Sequence, residues 1–495
     1  MAALVVGAAA LRAPLLDAAF PYYAYVDEGH VLRRVVHMLA DGTWDPAWYR
    51  YPSLLMTLIA AIAWIPLRRA PAAREALAAT DVSRFYDVLE PAGLLLVGRG
   101  LVFASAVGTV AVVGWLGARL AGRRVGAAAA LLAAVLPALV ARSAVVVVDT
   151  PSAFFAVAAL AVAAHAGAAL TPHRGALAGL AAGLAAATKY PAGVVLVAVL
   201  TVIAGARAPL GARLAAAGAA VAACLGALAV GSPALVLRTA RVLAELRVQS
   251  EAYATYAPTP DYLAQARTWI EAGPVFLALA ALGALVLVRL PRARRVTLGW
   301  LLFGALLVGT LVRYPFQPFR NLLPLLPFAC VAAAAALDRL ARVAAPRRTG
   351  AATALLTVAV ATPMVAWGVV PHLARHARMV DTRVVVREWL AEHRRAGESV
   401  LVAEELTFLP GELGRLGEDV VVRPWGAVAH GAQDAGWTWL VVPGRFDGEP
   451  PTLRDAWGDA LGRWRLALDV GSTATPGRAG IWRGNAQRIL VYRGP

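Results

Sequence analysis

A chain of 495 residues that is 60% hydrophobic and only 16% charged, with a mean hydropathy of +0.64, is neither a soluble globular protein nor a disordered one. Its net charge of +17 would point to nucleic acid in a soluble protein. Here the excess lies in short connectors between apolar segments, which is the positive-inside pattern of a polytopic membrane protein and calls for no nucleic-acid partner. Cys224 and Cys330 are the two cysteines and both fall in apolar segments, so no disulfide framework or metal cluster is expected.

The first apolar run, 2–11, meets Arg12 after about ten residues, short of the roughly 20 that span a bilayer. It has neither the basic start nor the cleavage site of a signal peptide, and the expectation is a first helix whose cytoplasmic half lies upstream of Met1. A polar stretch, 14–51, follows as the first outer loop. It holds the acidic pair Asp27 and Glu28 in the sequence Tyr-Val-Asp-Glu-Gly-His, then Asp-Gly-Thr-Trp-Asp-Pro at 41–46 and Tyr-Arg-Tyr-Pro-Ser at 49–53. Apolar segments then run at 52–67, 94–118, 124–141, 144–168, 175–188, 191–206, 212–231, 274–290, 296–312, 321–337 and 351–370. With the first helix they predict a mostly α protein of about 11–13 transmembrane helices spanning residues 1–372. After Pro371 the character changes. A helix at 383–394 and strands at 399–403, 420–422 and 437–442 predict a small α/β domain over 380–495.

Basic connectors at 119–124, 173–174, 207–213, 289–295 and 339–348 are expected on the cytoplasmic side. Counting crossings from them puts Asp149, Lys189, the long loop 232–272, the stretch 313–320 and the C-terminal domain together on the outer side. Asp27 joins them only if 52–67 dips into the bilayer without crossing, which its shortness and its bounding Pro52 and Pro66 favour.

Four places hold residues able to carry chemistry. Asp27 and Glu28 offer a base and its partner, and an acidic pair in a loop is equally a solvated turn. Tyr22, Tyr23, Tyr25, Trp44, Trp48, Tyr49 and Tyr51 crowd the same loop, as at sugar sites and membrane interfaces. Asp149, seven residues after Arg142, is embedded in an apolar run, where a carboxylate is expensive unless it is paired or functional. Lys189 is the sole lysine among 47 basic residues. At a turn between two apolar runs it suits a phosphate as a compact point charge, or serves as an interfacial anchor. Arg313 and Arg320 flank a run of aromatics and prolines, where Pro324 and Pro327 are expected to kink the helix that follows. Arg99 is a weaker candidate of the same kind. No phosphate loop, zinc-protease motif or nucleophile elbow is present in the sequence.

Taken in order, these stretches resemble the GT-C membrane glycosyltransferases that use polyprenyl-phosphate sugars, in the branch of protein O-mannosyltransferases and lipid A aminoarabinose transferase. The matching elements are Asp27-Glu28, the Ala-Asp-Gly-Thr-Trp run at 40–44 leading to Tyr-Pro-Ser-Leu at 51–54, and Arg99. Arg142 through Asp149 and its Thr-Pro-Ser-Ala-Phe-Phe sequel, Thr-Lys-Tyr-Pro at 188–191, and the stretch from Arg320 to Pro327 complete the set. The resemblance implies a multi-pass protein of a bacterial cytoplasmic membrane, with active site and C-terminal domain extracytoplasmic. It would transfer a hexose or pentose with inversion to a glycan, lipid or protein acceptor. It implies Asp27 as base beside Glu28, Asp149 as the second acid, and Lys189, Arg320 and Arg313 on the donor phosphate, with Arg99 and Arg142 in support. Tyr51 stands among the phosphate candidates where the aminoarabinose branch has a lysine, a departure that separates this chain from that branch's donor or acceptor. The branch is metal-independent, and neither a cofactor nor a metal is expected, although Asp27, Glu28 and Asp149 would make hard oxygen ligands. A flippase of lipid-linked sugars is the alternative, against which stand the absence of an internal repeat and the clustering of charges on one face. A membrane scaffold working through its outer domain is a third reading. That domain's tryptophans are expected to form its core.

Overall fold

The computed structural model describes residues 1–69, 93–166, 169–256, 273–312, 319–377, 380–406, 408, 419–424, 427–428, 436–443, 463–470 and 488–494. Two units are present: Met1–Leu16, Asp41–Pro66 and Val97–Ala374 form one, and Asp17–Ala40, Leu67–Leu96 and Arg375–Pro495 form the other. The stretch expected as the first outer loop is thereby shared between them.

The mostly α, multi-pass membrane class expected from the sequence is the class observed. Among the described residues six helical stretches are long and apolar enough to cross a membrane: Gly93–Ala121, Asp149–Ala166, Leu210–Gly231, Arg294–Leu311, Phe319–Ala344 and Pro346–His393. Four shorter apolar ones accompany them, Ala2–Leu15, Leu54–Leu67, Tyr190–Ala204 and Pro274–Arg289. In lipid there is little hydrophobic drive between helices, so they associate where small residues let backbones approach. Gly175, Gly179 and Gly183 recur every fourth residue on the helix Pro172–Thr188 and lie against the backbone of Ala216, Ala220 and Cys224 on Leu210–Gly231, with no room for a Cβ. Gly283 meets the backbone of Ala332 on Leu326–Ala344 in the same way.

Prolines break the apolar runs more often than their composition suggests. The segment 124–141 is a helix, Arg123–Val135, that stops before Pro137. Because Pro137 has no N–H, the carbonyl of Ala133 four residues earlier lacks its helical donor. The fully buried Arg12 supplies one, bonding Ala133 O at 3.2 Å and Ala134 O at 2.8 Å. The segment 144–168 starts with bends at 145–148, and its helix begins only at Asp149. The segment 191–206 is a 3-10 turn, Tyr190–Val194, followed by Val195–Ala204. The expected kink at Pro324 and Pro327 is replaced by a junction: Pro324 lies in the 3-10 helix Phe319–Leu325, and Pro327 in the first turn of Leu326–Ala344, where a missing N–H costs nothing. The expected loop 232–272 contains the helices Ala234–Leu237 and Thr239–Tyr256.

In the second unit the acidic pair expected in a loop occupies the first turn of a helix, Val26–Ala40. The C-terminal domain carries a five-stranded sheet in the order β2-β1-β3-β5-β4. Strands β1 (Val400–Ala403), β2 (Val420–Arg423) and β3 (Trp439–Pro443) match the expected ones and pair in parallel. Strands β4 (Arg465–Val470) and β5 (Ile489–Arg493), which the sequence pattern did not reveal, are antiparallel. The helix Thr382–His393 packs Val386 and Leu390 into the sheet's core. Of the four described tryptophans of this domain, Trp439 is buried in that core and Trp389, Trp437 and Trp464 are half-buried and pack against it.

Candidate functional site

The helix Pro172–Thr188 gives way at Lys189 to the 3-10 turn Tyr190–Val194, because Pro191 has no N–H to donate to the carbonyl of Ala187 four residues earlier. Lys189 is accordingly extended, with φ −149° and ψ 117°. Its ammonium is buried and meets two partners: Asp149 Oδ1 at 2.5 Å and Asn321 Oδ1 at 2.8 Å. Asp149 opens its helix, where the N-terminal dipole favours a carboxylate, and it is 2% exposed. Ser152 Oγ bonds the Asp149 carbonyl at 2.7 Å and Thr150 Oγ1 the Arg142 carbonyl at 2.7 Å, which ties the helix start to the preceding turn. The cations acting on Asp149 are Lys189, Arg320 and Arg142. Three separate breaks in helical structure therefore converge: the start of Asp149–Ala166, the end of Pro172–Thr188 and the 3-10 helix bearing Arg320 and Asn321.

A second network fixes the approach to Lys189. Tyr190 Oη donates to the carbonyl of Tyr49 at 3.2 Å, and Tyr49 N–H donates to Glu245 on the helix Thr239–Tyr256 at 2.8 Å. Tyr49 Oη donates to Asp45 Oδ1 at 2.9 Å, and Asp45 pairs with Arg238 at 2.9 Å. Burial, followed by the bond to Asp45, raises the Tyr49 phenol above its ordinary pKa and keeps it neutral. Ser53 Oγ bonds Gly231 O at 3.2 Å. Tyr51 stands between these two anchors with its ring edge-on to Trp48, 5.3 Å between centroids.

In the second unit Glu28 is fully buried and its Oε2 accepts the N–H groups of Ala24 at 2.8 Å and Tyr25 at 3.1 Å. This is the return half of a capping box, in which an acid in the first turn satisfies the donors that precede the helix. Asp27 sits in the same first turn and is half-buried. Arg313 lies outside the described residues.

Of the expected residues, the structure brings Asp149 and Lys189 into contact and sets the charges of Arg320 and Arg142 on the same carboxylate. Asp149 is paired with the lysine 40 positions away, where the sequence offered Arg142. Asp27 and Glu28 belong to the other unit. Arg99 is fully buried and donates to Leu16 O at 2.9 Å, tethering the end of the first apolar stretch. Asn321 was missed: an amide beside an expected arginine is unremarkable in sequence until a buried ammonium is found against it. Among the described residues no group of three or more His, Cys, Asp or Glu side chains is arranged to hold a metal ion.

This cluster is set in a multi-pass, mostly helical membrane architecture with a small C-terminal sheet. The sequence matches no protein-family model, and no curated protein matches it; the likeness lies in the fold. ArnT from Cupriavidus metallidurans bound to undecaprenyl phosphate superposes with a TM-score of 0.55 at 14% identity, over 99% of this chain and 98% of that one. ArnT in the apo state gives 0.55 at 12% identity, over 100% and 98%. The Archaeoglobus fulgidus oligosaccharyltransferase in the apo form gives 0.49 at 12%, over 89% of this chain and 69% of that one.

Proposed function

We propose that the protein is an integral-membrane glycosyltransferase that moves a sugar from a polyprenyl-phosphate carrier to an acceptor on the extracytoplasmic side of a bacterial cytoplasmic membrane. The observation that carries this reading is the buried Asp149–Lys189–Asn321 cluster with Arg320 beside it, on a fold shared with a protein crystallised with undecaprenyl phosphate. A lone lysine held by a carboxylate and an amide at a triple helix break is an expensive arrangement in a membrane, and a lipid phosphate is the anion that its bilayer setting makes available.

In the proposed reaction the acceptor's oxygen or nitrogen attacks the anomeric carbon, and the bond from that carbon to the carrier phosphate breaks. The phosphate leaves with the electron pair, and the acceptor's proton passes to Asp27. One displacement inverts the anomeric centre. Lys189 and Arg320, with Arg313 and Tyr51, bind the developing phosphate charge. Asp149 and Asn321 orient the lysine, Glu28 fixes the turn that bears the base, and Arg99 and Arg142 support the site. No metal or cofactor takes part in this scheme.

The test is a transfer assay in membranes with a panel of radiolabelled polyprenyl-phosphate sugars, comparing the wild type with Asp27→Asn. Consumption of one donor, abolished in the variant while insertion is normal, is the expected result and identifies the sugar. Consumption of none, or equal activity in the variant, rejects the reading and returns the flippase alternative.

A further inference from the structure

The C-terminal domain and the segment leading into the helix that bears Asp27 meet in a buried contact that the reaction scheme leaves unused. Asp381 caps the helix Thr382–His393, accepting from the N–H of Arg383 at 2.9 Å. The same carboxylate holds the Arg383 guanidinium in a two-pronged grip, Nε to Oδ1 at 2.8 Å and Nη2 to Oδ2 at 2.8 Å, while Nη1 reaches Leu406 O at 3.5 Å. A planar fork fixed on three acceptors presents a flat face. That face covers the ring of Tyr22, with the guanidinium carbon 3.6 Å from the ring centroid. Both side chains are buried, Tyr22 at 1% and Arg383 at 8% exposure.

Tyr22 is not a remote docking point. Two residues later, Ala24 and then Tyr25 donate their N–H groups to Glu28. Between them, the ring of Tyr23 lies on Gly29, with no slack for a side chain larger than hydrogen without a shift. The segment 22–25 is thus clipped to the first turn of Val26–Ala40 at Glu28 and Gly29, and to the C-terminal domain at Tyr22. Asp27 lies in the chain between that clipped segment and Glu28.

We infer that Arg383 and Tyr22 are positioning residues for the base Asp27, so that the C-terminal domain is a working part of the catalytic unit. The inference rests on the glycosyltransferase reading. Loosening the stack shifts the turn that bears the base while leaving the phosphate-binding residues in place. It therefore acts on the chemical step and not on donor affinity.

The experiment is steady-state transfer by the full chain in nanodiscs, with the polyprenyl-phosphate sugar that the wild type consumes and with thermal unfolding of each variant measured in parallel. Tyr22→Leu and Arg383→Ala are expected to lower kcat about 10- to 100-fold, the scale of a misplacement of roughly 1 Å, with donor KM changed by less than about twofold. Tyr22→Phe, which keeps the ring, recovers most of kcat. Wild-type kcat in both Tyr22→Leu and Arg383→Ala overturns the inference and leaves the glycosyltransferase reading standing, as does a rise in donor KM at unchanged kcat. If both variants unfold while Tyr22→Phe melts like the wild type, the stack is structural only and the inference falls. Absence of transfer by the wild type itself refutes the proposed function, and the inference with it.

Discussion

The Asp149–Lys189 pair makes the sharpest energetic prediction. The carboxylate is 2% and the lysine 9% exposed, so replacing either alone leaves an unmatched charge where water is scarce. Loss of one partner of a buried pair costs about 3–5 kcal/mol, whereas exchanging both for apolar groups is often close to neutral. Lys189→Met is therefore expected to lose about 3–5 kcal/mol, and Asp149→Leu a similar amount. The double variant Lys189→Met/Asp149→Leu should fall short of the sum by about 2 kcal/mol or more, as charge partners in contact do. It leaves Asn321 with one lost partner, which tempers the recovery. Unfolding in mixed micelles, followed by tryptophan fluorescence, measures all three. The double variant should regain stability but no transfer activity. Strict additivity would refute the reasoning, because it would mean that the two charges are separately solvated.

Three further outcomes are expected. Glu28→Ala removes the acceptor of two N–H groups and should cost about 1–2 kcal/mol of stability, while Glu28→Gln keeps an acceptor and should lose far less transfer activity than Asp27→Asn; equal losses would make Glu28 the base. Gly179→Val forces a side chain into the backbone of Ala220 and should lower stability by about 1–3 kcal/mol, read as the melting temperature in detergent, whereas Gly218→Val, at a position with open space, should not. In the C-terminal domain the N–H of Arg395, then the indole N–H of Trp439, hold the Glu398 carboxyl below its ordinary pKa. A depressed carboxylate stabilises the fold above its unfolded pKa, and that contribution disappears as pH falls through the lower folded value. Acid titration of Trp439 fluorescence should show a transition below the usual carboxylate range that Glu398→Gln flattens.

The membrane class was legible because hydropathy needs no tertiary information, and the C-terminal helix and three strands because their apolar runs are short and cleanly bounded. Strands β4 and β5 were not: Arg-Leu-Ala-Leu-Asp-Val is an edge strand of mixed polarity, and Ile-Leu-Val-Tyr-Arg is an apolar run of only five residues. The pairing of Asp149 with Lys189 was hidden because each residue marked itself as costly but neither marked the other. Helix ends were mis-set wherever a proline or a run such as Val-Val-Val-Val at 145–148 kept the hydropathy high while the backbone turned. The acidic pair at 27–28 read as a loop because its neighbours are aromatic and polar. The structure shows instead that Glu28 caps the helix it begins.

The most direct measurement of the central claim, that the lysine cluster receives a lipid phosphate, is the affinity of undecaprenyl phosphate for the purified protein by native mass spectrometry. The wild type should bind it, and Lys189→Gln and Arg320→Gln should each weaken binding by about tenfold or more, the equivalent of one lost charge-assisted contact of roughly 1.4 kcal/mol. Binding that is equal in wild type and both variants would contradict the account.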